Sequence, residues 1–240
     1  AWGEPARMLT SAEAQAREPD VNFHGATLVA SSPRDGAIDP VLVSKALVAA
    51  AIQQGAQVLE RCEALSVDDS SDYKGKLLRT SCGPIEADRV VLATGPAPAA
   101  VKRFGGFDLP QRSTSGVIVV TRPVKPLLRG ILVTPGIHIH QRMDGRLVIG
   151  EQDGAPDTAA HAARLAQRPK RFPDDLVAEQ HAQRLLATTR NYLPSVGEVE
   201  VDEVIIGWRP LPVDGHPVIG PSPADDRVYV AIMHLSLIHI

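Results

Sequence analysis

From Gly207 to Gly220 the chain reads GWRPLPVDGHPVIG, which sets a single cation, Arg209, among residues that restrict the backbone. Gly207, Gly215 and Gly220 permit close approach or positive φ, while Pro210, Pro212 and Pro217 fix φ and remove amide donors. Asp214 and Gly215 read as a turn. A β-rich run over residues 199–206 precedes the motif, and the sequence predicts that it breaks into a rigid loop at Arg209. A guanidinium fork held in such a loop can clamp a carboxylate through two parallel hydrogen bonds. The plainer reading of Arg209 is a surface salt bridge beside a loop.

Other chemistry-bearing residues are sparse. His138 and His140 stand two apart in an apolar run, so on a strand their side chains share one face and Ile137 and Ile139 share the other. A metal site needs a third ligand, and none is adjacent. A solvated face is the simple alternative. His234 follows a mainly apolar run over residues 228–232. Cys62 and Cys82 are the only cysteines and do not form a C-x-x-C pair, so two reduced thiols are expected and a zinc or thioredoxin-like centre is not. No Ser-His-Asp order, Walker loop, paired-carboxylate motif or zinc spacing stands out, and G-x-G-x-x-G occurs nowhere.

The elements that must position these residues fall into two kinds. Over residues 11–18 a helix is expected with Ser11 as N-cap, stopped by Pro19. A strand over 23–31 and a turn over 32–36 follow. Asp39 and Pro40 open a second helix, with Val43, Leu47 and Ala50 as an apolar stripe and Gly55 as the C-cap. A short strand over 57–60, a hairpin of 64–68 with 76–81, and an apolar strand over 88–95 complete an α/β region. The last of these reads as buried on both faces, as in a parallel sheet. Residues 97–109 look like a linker. The character then changes to short strands at 117–121, 131–134, 137–140 and 146–150, with Asp144 and Gly145 as a hairpin turn. This is a largely antiparallel sheet. A polar loop with a helical turn is expected over 151–171, a long helix over 174–192, and a strand over 196–206.

Bulk composition excludes several classes. The chain has 240 residues, 44% hydrophobic and 22% charged, which suits a globular protein with a sizeable core. The net charge of −3 gives no basic footprint for nucleic acid. No apolar run is long enough to span a bilayer, and the opening residues lack a signal peptide's apolar stretch, so none is expected. A cytoplasmic setting is the expectation.

The pattern G-x-R-P-x-x-x-D-G-x-P-x-I-G over residues 207–220 resembles the C-terminal motif of FAD-dependent oxidoreductases of the D-amino acid oxidase superfamily, which includes glycine and sarcosine oxidases. The strand over 227–234, and the order helix, short strand, hairpin and VVLATGP over 90–96, are similar to the same superfamily. The resemblance implies an α/β with α+β fold. It implies an incomplete, Rossmann-like FAD-binding domain, discontinuous over residues 1–100 and 207–240, and a mainly antiparallel β substrate or cap domain over 101–206. The implied cofactor is FAD. The implied reaction is oxidation of the C–N bond of a small amino acid or N-methyl amino acid to an imine, with electrons passed to oxygen or another acceptor.

By the same resemblance Arg209 binds the substrate carboxylate, His138 or His140 lines the pocket, and His234 lies beside the flavin. Ala64 resembles the segment that meets the adenine. Thr94, Gly95 and Pro96 resemble the turn that approaches the cofactor, and Gly207, Asp214, Gly215 and Gly220 accompany it. For Thr94 to Pro96 the residues alone also allow a tight turn with no ligand. Two departures stand out. After His234 the chain reads LSLIHI where the family places small residues and glycine, and the Gly-rich phosphate turn is absent. Both fit a fragment lacking the two ends of the family pattern. The competing reading is a non-catalytic, cofactor-free subunit of the same fold. The expected partners are a small amine or amino acid and an electron acceptor, with no nucleic acid and no membrane span; self-association is left open.

Overall fold

The computed structural model describes residues 6–26, 28–71, 74–152, 175–213 and 216–232. They fall into two compact units. Within the described residues, the first takes 6–37, 114–152 and 175–208, and the second takes 38–113, 209–213 and 216–232.

The first unit is built on an antiparallel sheet. Its strands are β7 (Gln111–Thr121), β8 (Leu132–Thr134), β9 (Gly136–Gln141), β10 (Leu147–Gln152) and β11 (Val201–Pro212), in the order β11-β7-β10-β9-β8. The Asp144–Gly145 turn sets the register: Leu147 faces Gln141, and each step outward pairs Val148 with His140, Ile149 with Ile139 and Gly150 with His138. One face carries Val117, Val119, Ile137, Ile139, Leu147 and Ile149, all buried, in a cluster with Ala182, Leu185 and Leu186 of helix α4 (Asp175–Tyr192). Each such aliphatic side chain contributes roughly 1.5–3 kcal/mol when fully buried. A small antiparallel pair, β1 (Arg7–Thr10) and β2 (Leu28–Ser31), flanks helix α1 (Ser11–Arg17).

Three expectations are corrected here. Thr10, not Ser11, is the N-cap of α1: its hydroxyl accepts from the Glu13 amide while the Glu13 carboxylate accepts from the Thr10 amide, closing a capping box. The strand expected from residue 23 begins only at Leu28, because His24 (φ 50°) and Gly25 (φ 70°) turn the chain and the Asn22 side chain accepts from the His24 amide at 2.9 Å. The run before Arg209 does not break into a loop there. β11 continues through Arg209 to Pro212, and it can accommodate Pro210 and Pro212 because it is an edge strand with one row of amides not used in the ladder.

The second unit holds helix α2 (Pro40–Gln53), the meander β3 (Ala64–Asp69), β4 (Lys76–Thr80) and β5 (Gly83–Ala87), then β6 (Val90–Leu92), helix α3 (Pro98–Gly105), β12 (Val218–Pro221) and β13 (Val228–Ile232). Asp39 caps α2 as the sequence predicts, its carboxylate accepting from the amides of Val41 at 2.9 Å and Leu42 at 3.0 Å, with Pro40 in the first turn. The expected apolar stripe on α2 is not a buried one. The helix is apolar on all sides and none of its residues is buried; Leu42 and Leu47 are 64% and 66% exposed. Residues 57–60 form no strand, β5 was not foreseen, and the supposed linker over 97–109 contains α3. Helix α3 is fixed by Val101, fully buried with Leu109, Val230 and Ile232, and it ends on Gly106 in the left-handed region.

Strand β6 pairs in parallel with β13, Val90 facing Val228 and Leu92 facing Val230. That agrees with its reading as a parallel strand. It is not buried on both faces, since Val91 is 60% exposed. Among the described residues no helix is long and apolar enough to cross a membrane. The loop expected over 151–171 lies outside the described residues beyond Gln152.

Candidate cofactor and substrate site

In the second unit, β6 and β13 run the same way, so both end at one edge of their sheet. β12 runs against β13 and starts at that edge, with Val218 facing Ile232. The carboxyl edge of parallel strands is where open α/β sheets receive ligands. At this edge the chain leaves β6 into the turn of Thr94, Gly95, Pro96 and Ala97, in which the Ala97 amide donates to the Thr94 carbonyl at 3.4 Å. Gly95 has φ 56°, which a side chain resists, so the turn itself requires glycine. A Cβ built on Gly95 meets nothing within 4 Å, so the reason is conformation and not crowding by the chain.

The Thr94 hydroxyl is buried and has no hydrogen-bond partner among the described residues. Leaving such a group unsatisfied costs about 1–3 kcal/mol. Helix α3 begins just after the turn, with no side-chain cap at Ala97. A buried donor-acceptor left open beside an uncapped helix start suits a polar ligand group.

The other expected cofactor residues distribute as follows. Ala64 is half-buried at the first position of β3, and Gly220 lies in β12 opposite Val230. Gly207 is exposed within β11, where a Cβ would meet nothing within 4 Å. Asp214, Gly215 and His234 lie outside the described residues, as does the side chain of Arg209, whose backbone belongs to β11. The structure thus brings Thr94, Gly95, Pro96 and the end of β13 to one edge.

Lys76 carries no sequence signal of its role. It is only 4% exposed, and its Nζ donates to Asp69 at 2.8 Å and to Asp225 at 2.5 Å. Burial alone would lower the Lys76 pKa, but hydrogen bonds to Asp225 and Asp69 outweigh it and hold the ammonium above its usual value. The same bond from Lys76, with the Arg227 amide, holds Asp225 below the usual carboxylate range. This clamp ties the β3–β4 hairpin to the β12–β13 loop and so steadies the sheet that carries the edge.

In the first unit, His138 and His140 do share the face of β9 away from Ile137 and Ile139, as their spacing predicts. It is not a freely solvated face. Both histidines are half-buried, and Val120 and Val148 beside them are buried. Burial, followed by the nearby charge of Arg142, pushes the His140 pKa down, so the ring is neutral at pH 7. Gly150, missed in the sequence, faces His138, and a Cβ built on it would overlap Cε1 and Nε2 of that ring. Counting outward from the Asp144–Gly145 turn would have found it. Among the described residues no cluster of three or more metal-ligating side chains exists.

An α/β unit with a glycine turn at the end of parallel strands, in one chain with a histidine-bearing antiparallel sheet, is an arrangement suited to a nucleotide-dependent enzyme. The chain belongs to the family of FAD dependent oxidoreductases (DAO), whose model matches residues 1–237. It is 28% identical over 233 residues to glycine oxidase of Geobacillus kaustophilus, covering 97% of this chain and 57% of that protein. It is 24% identical over 236 residues to mitochondrial sarcosine dehydrogenase of Mus musculus, covering 93% of this chain and 24% of that one. The crystal structure of the Geobacillus glycine oxidase superimposes with a TM-score of 0.76 over 97% of this chain and 58% of its own. An L-α-glycerophosphate oxidase from Mycoplasma pneumoniae with FAD bound shares the fold, with a TM-score of 0.73 at 20% identity, covering 97% of this chain and 60% of that one. The chain therefore spans little more than half the length of the glycine oxidase it matches.

FAD is the cofactor of the family, and the turn of Thr94 and Gly95 fits it. The open hydroxyl offers a hydrogen bond, and the glycine turn leaves the backbone uncovered.

Proposed function

We propose that the intact protein oxidises the C–N bond of a small amino acid or N-methyl amino acid to an imine, which water then hydrolyses. The observation that carries this reading is the buried hydroxyl of Thr94 at the carboxyl edge of β6, without a partner among the described residues, in a chain that matches the FAD-dependent family over residues 1–237. Similarity to glycine oxidase and sarcosine dehydrogenase supports the substrate class. Bound FAD supplies the two-electron acceptor, and oxygen or another acceptor reoxidises it.

The residues of this chain then bind and orient. Arg209 holds the substrate carboxylate, which fixes the C–H bond to be broken. His138 and His140 line the substrate pocket, and the neutral His140 adds no positive charge to it. Ala64, Thr94, Gly95, Pro96, Gly207, Asp214, Gly215, Gly220 and His234 face the cofactor. Residues 1–100 and 207–240, Arg209 apart, serve the cofactor and 101–206 the substrate. No acid–base pair is required, because the protein's part is orientation and carboxylate anchoring.

The test is anaerobic mixing of the FAD-loaded intact protein with glycine, sarcosine, D-alanine and α-glycerophosphate while the flavin absorbance is followed. Bleaching by one of the amino acids supports the reading. Bleaching by α-glycerophosphate alone would assign the fold to C–O oxidation and overturn it. Oxygen uptake then separates an oxidase from a dehydrogenase.

A further inference from the structure

The meander β3-β4-β5 carries a feature that FAD chemistry does not use. β3 and β4 pair with Asp69 facing Lys76, Asp68 facing Leu77, Val67 facing Leu78 and Ser66 facing Arg79. The register then shifts by one residue at a bulge, so that Ala64 faces Thr80. Beyond the ladder the Ser81 amide donates to the Glu63 carbonyl at 2.9 Å, and the Glu63 amide donates to Ser81 Oγ at 2.9 Å. Cys62 lies just before this point, and Cys82 follows Ser81 in the two-residue turn that brings Thr80 opposite Gly83.

One hydroxyl brings the two residues together: Thr80 Oγ1 is 3.2 Å from Cys62 Sγ and 3.1 Å from the Cys82 amide. The sulfurs are free, Cys62 half-buried and Cys82 exposed, so a small oxidant can reach them. The two thiols are also unequal. Hydrogen bonding with the Cys82 thiol, followed by that with Thr80, holds Cys62 below the ordinary thiol value. The same contact, followed by burial, pushes Cys82 up. Of the two, Cys62 is the thiol favoured as nucleophile.

We propose that Cys62 and Cys82 are a modification site, a thiol pair gathered around the Thr80 hydroxyl that hydrogen peroxide closes into a reversible disulfide. The Cys62 thiolate attacks one peroxide oxygen. The O–O bond breaks, and hydroxide leaves and takes up the proton that Cys62 released. The Cys82 sulfur then attacks the sulfenic sulfur of Cys62, forming the S–S bond and expelling the second oxygen as water with the Cys82 proton. Two thiols and one peroxide give one disulfide and two waters. The bond would staple the start of β3, where Ala64 lies, to the β4–β5 turn.

The test adds hydrogen peroxide to the fully reduced chain and does not depend on the proposed enzymatic activity. Expected is a monomer that loses two hydrogen masses and both titratable thiols, yields a Cys62–Cys82 linked peptide, and recovers both thiols with dithiothreitol. In Cys82→Ser, Cys62 accumulates as a sulfenic acid that dimedone traps. In Cys62→Ser, Cys82 oxidises at least about tenfold more slowly than Cys62 does in the parent. Retention of both thiols under peroxide, links formed only between chains, or equal rates in the two serine variants would each overturn the proposal. The linked peptide is read on the unsubstituted chain, so the outcome does not hang on a variant's folding.

Discussion

The ring of His138 occupies the space in which a side chain at Gly150 would stand. The two residues face each other across β9 and β10, and a Cβ at position 150 would overlap Cε1 and Nε2 of the ring. The glycine is therefore a positioning residue for the histidine. In Gly150→Ala the ring must turn aside at about 0.5–1.5 kcal/mol. Alanine recovers about 0.5–1 kcal/mol over glycine in a strand. The melting temperature should move by only a few degrees while the His138 ring resonances shift and the KM of the intact enzyme rises. Unmoved His138 resonances would show that the ring has room elsewhere and that Gly150 does not position it.

The Lys76 clamp makes an acid-side prediction. The folded pKa of Asp225 is depressed, so its contribution is present above the unfolded value near 4 and is lost as pH falls through the folded value. Lys76 is raised, so its contribution is present below about 10.4 and is lost as pH rises through its folded value. Asp225→Asn should flatten the stability profile below about pH 4. Lys76→Met should cost about 1.5–3 kcal/mol at neutral pH, the worth of hydrogen bonds to a charged group. Denaturant titrations at pH 3, 7 and 10 measure both. Equal losses for Asp225→Asn at pH 3 and pH 7 would show that the carboxylate charge is not what matters.

His140 should titrate below the usual value near 6.5, because burial and then Arg142 disfavour its charged form. The folded protein binds this proton more weakly than the unfolded chain, so the stability tied to His140 is complete above about 6.5 and fades as pH falls through the folded pKa. Arg142→Gln should raise the midpoint only in part, since burial is the larger cause. NMR titration decides it; a midpoint at or above the ordinary value would show that the ring is solvated.

Much of the fold was legible because local chemistry and tertiary need agree. Asp39 with Pro40, the Asp144–Gly145 turn and the alternation at residues 137–140 each signal one structure. The failures have physical causes. Helix α3 is hidden in the sequence because it is short and its cap carries no side-chain hydrogen bond, so only burial of Val101 reveals it. The end of β11 is hidden because prolines suggest a break, and a sequence does not say which strand is an edge. The stripe of Val43, Leu47 and Ala50 on α2 marks no buried side, because in a helix apolar all round periodicity selects no face. For the site, the family resemblance pointed to Thr94 and Gly95, and spacing alone put the two histidines on one face. Gly150, Lys76 and Asp225 stayed hidden because their roles depend on partners across strands.

Arg209→Ala tests the substrate anchor. A buried bidentate contact to a carboxylate costs about 2–5 kcal/mol when truncated. In the intact enzyme KM should rise by at least about 30-fold, the lower end of that range. Arg209→Lys should recover only part of this, because a point charge cannot make two parallel bonds. An unchanged KM for the amino acid that reduces the flavin would remove Arg209 from the role and return it to the surface salt bridge.

Thr94→Val separates a ligand contact from a structural one by the sign of its effect. The hydroxyl is buried with no partner among the described residues, so without flavin it costs the fold free energy and returns none. Valine replaces it with nearly the same shape. The flavin-free protein should therefore be unchanged or more stable, by up to about 1–3 kcal/mol, the cost of an unsatisfied polar group. FAD affinity should fall in the same variant by roughly tenfold, the loss of one hydrogen bond of about 1.4 kcal/mol. Thr94→Ser, which keeps the hydroxyl, should restore binding without the gain in stability. Calorimetry of the flavin-free protein and equilibrium dialysis with FAD give the two numbers. Destabilisation of the flavin-free protein with unaltered FAD binding would mean that the hydroxyl serves the fold, and the turn after β6 would lose its claim to the cofactor.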